Sequence, residues 1–240
     1  LLVIPVLRDG RWRLVERIIA EWYPPDAGLE VPSGISRPAP PEPSCAVLRE
    51  WFKFVDSRPG IWCRQDVLFS RHYYQRDERY LIIGVENQAC ALWGVRRDDL
   101  VLDDPPIYVD EAANGNWLLE NATTSEFAVT WLASSIKWSY HNRRWANGPA
   151  SDSALRTVTS HYPRLGLPDW RWPAFPTRFY GTADLLLEVH GEESDLWFWL
   201  VTRTDEAFRQ FQSLVAGQVQ WEASSDEWPD GWVSSAHRAP

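Results

Sequence analysis

Catalysis by side chains needs a nucleophile, a metal or a titratable pair, so the histidines, cysteines and clustered carboxylates are read first. The histidines are His72, His141, His161, His190 and His237. No two stand at helix-face spacing beside a carboxylate, so they form no zinc pattern. Cys45, Cys63 and Cys90 are odd in number and widely spaced, which fits neither a disulfide framework nor a four-ligand zinc site. Cys90 falls in an apolar run that reads as a strand, where an inert buried thiol is expected. Carboxylates pair at Asp98-Asp99, Asp103-Asp104, Glu192-Glu193 and Asp226-Glu227. All four pairs lie in expected turns or in the tail, so solvated turn charges are expected rather than an acid and a base in a cleft. The chain has no phosphate-cradling glycine loop, no dinucleotide fingerprint, no H-E-x-x-H and no G-x-S-x-G. The expectation is a protein without catalytic residues, metal or cofactor.

The composition agrees with a packed globular chain. Of 240 residues, 45% are hydrophobic, 14% aromatic and 24% charged, which excludes disorder throughout. The net charge of −9 argues against a protein that coats nucleic acid, whose phosphates need a basic face. No apolar run approaches the ~20 residues that span a bilayer, and the opening run lacks a basic flank and a cleavage site. With thiols expected to be reduced, a soluble cytoplasmic protein follows. The excess of arginine over lysine resembles proteins of GC-rich genomes such as those of actinobacteria. The 16 tryptophans are the unusual number. Sugars stack on such rings, but most sit at core-facing positions; only Trp228 and Trp232, in the tail, read as exposed.

The elements that would position these residues are read from periodicity. Residues 1–7 suggest an edge strand, closed by a turn at Asp9-Gly10. Trp12, Val15, Ile18, Ile19 and Trp22 then share one face of a helix. A proline-rich loop leads to a second helix at about 45–56, with Ser44 as N-cap and Val47, Leu48, Trp51, Phe52 and Val55 on one face. A hairpin follows: Tyr80–Val85, a tight turn at Glu86-Asn87-Gln88, and Ala89–Val95. Short strands are expected at 107–109 and 117–119. Thr123 with Glu126 is a capping box opening a helix to about Trp138. Residues 139–176 show weak periodicity and read as a long ordered connection held by Trp145, Trp170 and Trp172. A strand over 179–189 with a bulge at Gly181, a turn at 190–194, a strand over 195–202 and a Thr204-capped helix complete the pattern, with Gly217 closing that helix. The class is α+β, a mixed and largely antiparallel sheet flanked by helices. One domain is expected: core helices and hairpins over 1–138, the Trp/Pro-rich connection over 139–176, a strand–strand–helix over 177–221 and an acidic tail over 222–240.

The order of motifs from about 44 to 136 resembles a family. Leu48-Arg49-Glu50-Trp51-Phe52 is followed by Tyr80-Leu81-Ile82-Ile83-Gly84-Val85-Glu86-Asn87-Gln88 and Cys90-Ala91-Leu92-Trp93-Gly94-Val95. Then come Asp103-Asp104-Pro105-Pro106-Ile107-Tyr108-Val109, a strand bearing Trp117, and the helix start Ser125-Glu126-Phe127. This resembles the SUKH superfamily, the domain of the yeast cell wall assembly regulator and of many bacterial immunity proteins. The resemblance implies an α+β domain without catalysis. It implies either an antitoxin that binds and blocks a cognate toxin, often a nuclease, or a regulatory interaction module with no toxin partner. Glu86, Asn87, Trp93, Asp104, Pro105 and Tyr108 match the motif and are expected to be framework first and contacts second. Asn87 suits a turn needing positive φ.

A partner surface is suggested by the charge map. Residues 181–240 hold 11 acidic and three basic residues, a net −8, whereas residues 1–180 hold 22 acidic and 21 basic, a net −1. A concentrated acidic surface speeds capture of basic partners. The expected contact residues are Asp184, Glu188, Glu192, Glu193 and Asp195, with Trp228 and Trp232. The expected partner is a protein, a basic toxin domain, with no nucleic acid and no membrane.

Overall fold

The computed structural model describes residues 4–42, 44–138 and 144–225. Trp228 and Trp232 lie outside these residues. Among these residues the fold is α+β, with six helices and two antiparallel five-stranded sheets. No helix among the described residues is long and apolar enough to cross a membrane.

The chain begins with helix α1 (Arg8–Trp22), which buries Trp12, Leu14, Val15, Ile18 and Trp22. The strand and turn expected over residues 1–10 are not observed in the described part. Residues 4–7 fold back over the first turn instead, and Gly10 permits this, because a Cβ there would come 2.6 Å from Pro5 Cβ. Helix α2 (Ala46–Ser57) buries Val47, Leu48, Trp51 and Val55, with Cys45 rather than Ser44 at its N-cap. A single turn, α3 (Pro59–Trp62), follows.

The first sheet is a meander of β1 (Val67–Leu68), β2 (Tyr80–Val85), β3 (Leu92–Arg96), β4 (Ile107–Asp110) and β5 (Trp117–Asn121), in that spatial order. The β2–β3 turn begins at Glu86 as its sequence suggests but runs on to Ala91. Ala89, not Asn87, takes the left-handed conformation (φ 59°), and Cys90 is exposed in the turn rather than buried in a strand. Helix α4 (Thr124–Ser135) starts at the expected capping box, with Thr123 Oγ1 accepting from the Glu126 N–H at 3.3 Å. It is buried on nearly every side, because α1, α2, α3 and β5 all pack on it. A short 3₁₀ turn continues it to Trp138.

The second sheet contains β6 (Arg144–Ala150), β7 (Arg178–Gly181), β8 (Leu185–His190), β9 (Leu196–Thr202) and β10 (Ala223–Ser224), in the order β10-β6-β9-β8-β7. Helix α5 (Asp152–His161) follows β6, and α6 (Asp205–Leu214) follows β9. Two expectations are corrected here. Residues 144–161 are not a connection but a strand in the sheet interior and a Ser151-capped helix. Residues 179–189 are not one bulged strand but a hairpin, β7 and β8, turning at 182–184.

The two sheets share a core. The inner face of the first sheet, α1, α2 and α4 pack together, and the same cluster takes in Phe179, Leu186 and Val201 from one face of the second. The opposite face of the second sheet packs on α5 and α6 through Leu187, Val189, Phe198, Phe208 and Phe211. Trp170 inserts between Trp93, Phe127 and Trp131, and its Nε1–H donates to Asn121 Oδ1 at 3.2 Å. Nearby, the Arg171 N–H donates to both oxygens of buried Glu120, at 3.1 and 3.3 Å. Segments also lie along the sheet margins. Residues 163–165 bond to β7, and Arg171 Nε donates to the Leu119 carbonyl of β5. No described tryptophan is fully exposed, but half of them are only half-buried, so core placement holds for part of the set.

Candidate functional site

The acidic residues singled out by sequence do not form one face. Glu188 sits in β8, on the face of the second sheet that looks toward α4, and is only 2% exposed. It therefore cannot belong to an outer contact surface. Asp184 lies at the opposite end of β8 from the other three, where it pairs with Arg203 at 3.6 Å. Six strand residues at ~3.4 Å each separate those two ends by roughly 20 Å. Only Glu192, Glu193 and Asp195 come together, in the β8–β9 turn, and all three are exposed. None of them forms an ion pair among the described residues. Other carboxylates of this region do: Asp205 pairs with Arg144 and Glu206 with Arg209.

The turn is tightly built. Arg178 Nη2 donates to the Gly191 carbonyl at 2.6 Å, the Gly191 N–H to Pro176 O at 3.2 Å, and the Asp195 N–H to Glu192 O at 3.0 Å. Gly191 has φ 75°, and a Cβ there would collide with the Asp195 carbonyl, so glycine is required. Glu193 also has a positive φ, 50°, an uncommon state for a residue with a side chain. Such a conformation costs energy that the surrounding structure must hold in place.

Beneath the turn lies a buried polar cluster that sequence reasoning missed. Lys137 Nζ donates to Glu188 Oε1 at 2.5 Å and to Ser134 Oγ at 3.1 Å. His190 Nε2 lies 2.6 Å from the same Glu188 oxygen. Lys137 also stands 5.6 Å from the rings of both Trp138 and Trp199. Sheet register places Asn147, Trp199, Glu188 and Phe179 in one row, so the carboxylate is walled by its cross-strand neighbours. Burial alone would raise Glu188, but Lys137 and His190 outweigh it and hold the carboxyl at about 2. Burial also lowers His190, with Glu188 opposing, so the ring is neutral at pH 7. The cluster is thus an ammonium, a carboxylate and a neutral imidazole, each at most 7% exposed. Its sequence signal was faint: one of the chain's few lysines at the end of an apolar helix, and a lone carboxylate inside an apolar strand.

The motif residues divide between framework and surface. Buried Glu86 clamps its turn, its Oε2 accepting from the Gln88 N–H at 2.8 Å and the Cys90 N–H at 3.2 Å. Exposed Asn87 donates its N–H to Asp66 Oδ1 at 3.2 Å. Trp93 is fully buried against Trp131. Asp104 caps α4, accepting from the Ser125 N–H at 3.0 Å and the Ser125 hydroxyl at 2.5 Å, with Arg11 3.7 Å away. The Pro105 carbonyl accepts from Thr124 Oγ1 at 2.8 Å. Asp104 and buried Asp99 are therefore not the solvated turn charges expected of them. Tyr108 differs from the rest, being half-buried on the outer face of the first sheet, edge-on to Tyr80.

Among the described residues no group of three His, Cys, Asp or Glu is placed to hold a metal ion. Comparison with models of protein families, with curated proteins and with solved structures found no match.

Proposed function

We propose that this chain is a non-catalytic binding protein of the immunity type, which occludes a basic toxin domain. The observation that carries the reading is the β8–β9 turn: three exposed carboxylates, none ion-paired within the described residues, on a backbone held by Gly191 and Arg178. Charges left unpaired on a rigid support attract a cationic partner without first breaking internal bridges. The SUKH-like order of motifs from 44 to 136 supports the same reading. So does the sealed Lys137–Glu188–His190 cluster, whose carboxylate is held ionised and walled off, which suits support rather than proton transfer.

The test is co-expression with the product of the neighbouring reading frame in a host that this product kills. The chain is expected to restore growth, and Glu192→Lys/Glu193→Lys/Asp195→Lys to fail while folding normally. A harmless neighbour that still binds the chain would favour a regulatory interaction module instead. Rescue that survives the triple substitution would remove the turn from the interface.

A further inference from the structure

The first sheet has two unlike faces. Leu81, Ile83, Trp93 and Val95 point into the core, whereas Tyr80, Arg96, Tyr108 and Trp117 share the other face. On that outer face Tyr80 and Trp117 stack at 4.2 Å and 16°, and Tyr108 meets Tyr80 edge-on at 5.5 Å. Trp117 reaches across Gly94, where a Cβ would come 3.3 Å from its ring, so glycine makes room for the stack. Asp77 Oδ2 accepts from Trp117 Nε1 at 3.2 Å and fixes the indole. Leu119, on the same face, is 54% exposed.

Arginines frame these rings. Arg79 lies 5.8 Å from the Tyr80 ring, and Arg76 5.4 Å from the Tyr73 ring beside it. Arg71, Arg76 and Arg79 are exposed, and none forms a salt bridge among the described residues. Residues 71–79 carry three arginines against two carboxylates, in a chain whose net charge is −9, while Arg96 on the same face is paired with Asp99 at 2.7 Å. Tyrosine, tryptophan and arginine are the side chains that dominate protein-interface energetics. Stacked aromatics with positive charge also suit single-stranded nucleic acid. Over its whole surface, however, this chain repels a polyanion, which leaves a short acidic segment as the better match to so local a positive frame.

We infer that the outer face of the first sheet is a docking surface for a protein segment that sets an apolar side chain on the Tyr80–Trp117 stack and carboxylates beside Arg76 and Arg79. This interface is separate from, and opposite in charge to, the β8–β9 turn.

The test is selection of a random phage-displayed peptide library on the full chain. Peptides joining acidic residues to an aromatic or aliphatic one are expected. A synthetic copy should bind about tenfold more weakly to Arg76→Glu/Arg79→Glu, a change at two exposed side chains, and more weakly as salt rises. Circular dichroism confirms that the variant is folded. The copy should bind Glu192→Gln/Glu193→Gln/Asp195→Asn as tightly as the unaltered chain. The inference is overturned by no enrichment, by peptides lacking acidic residues, or by equal affinity for the arginine variant. Loss of binding in the turn variant, or tighter binding of oligodeoxythymidine than of any selected peptide, overturns it too.

Discussion

Lys137 Nζ and Glu188 Oε1 lie 2.5 Å apart with both side chains almost wholly buried, and their bond joins the 3₁₀ turn that follows α4 to the middle of β8. The pair thus ties the helix at the centre of the first core to the second sheet. A charge in such a place is stable only while its partner remains.

Removing one partner is expected to be costly. Lys137→Met or Glu188→Leu alone should lose roughly 3–5 kcal/mol of unfolding free energy, since each leaves a buried charge without its counter-ion. The double replacement should recover only part of that loss, because an apolar pair needs no desolvation but buried His190 Nε2 is left without its partner. Urea unfolding of the two single variants and the double variant measures the coupling.

Acid should remove the contribution of this cluster in two stages. The His190 value is depressed in the folded state, so its contribution is present above the ordinary histidine value of 6.5 and falls away as pH drops below it. Glu188 is depressed from 4.5 to about 2, so its contribution is lost between those values. Because Glu120 acts in the opposite direction over the same range, the readout is a difference: relative to the wild type, His190→Gln should gain urea midpoint as pH drops from 7 to 5. An unchanged difference would show that the ring is not buried neutral.

Glu120 has the opposite sign. Burial raises its carboxyl to about 8, with the Arg171 N–H and guanidinium opposing. The folded state then binds the extra proton, so stability falls as pH rises from 4.5 to 8. Glu120→Gln keeps an acceptor for the Arg171 N–H and removes the charge. The variant should be more stable than wild type at pH 9, by a few kcal/mol, and nearly equal at pH 4.5. Thermal melts at the two pH values decide it.

Glu193 sets stability against binding. Its φ of 50° costs a residue with a Cβ on the order of 1 kcal/mol. Glu193→Gly should therefore raise the unfolding free energy by about 1 kcal/mol. If the turn captures the partner, the same change slows association, and more so at low salt. Stopped-flow capture kinetics beside a denaturant titration read both effects.

Sequence signals located the elements that announce themselves locally. The Thr123 and Thr204 caps, the β2 run and the faces of α2 and α6 stand where the pattern puts them. The strand β6 did not announce itself, because Arg144–Ala150 contains Asn147, Gly148 and Pro149, residues that usually break strands. Its context accommodates two of them. Gly148 lets the Gln220 carbonyl approach the strand, and the Pro149 carbonyl accepts from the Gln220 N–H. The burial of Glu188 was illegible for a different reason. A carboxylate in an apolar strand looks like surface charge until its partner is known, and Lys137 lies 51 residues away. Conversely, Tyr80, Tyr108 and Trp117 read as core by type, and only the two-faced register of the sheet places them outside.

The strands at the sheet margins have a consequence for how copies of this chain behave at high concentration. β1 and β10 are two residues long, β7 is flanked by residues 163–165, and the Leu119 carbonyl of β5 is occupied by Arg171. Short or covered margins offer little template for strand-by-strand growth, the route by which β-rich proteins form fibrils. Under the proposed reading, recognition by this chain with its 16 tryptophans therefore rests on side chains and turn tips rather than on shared backbone ladders.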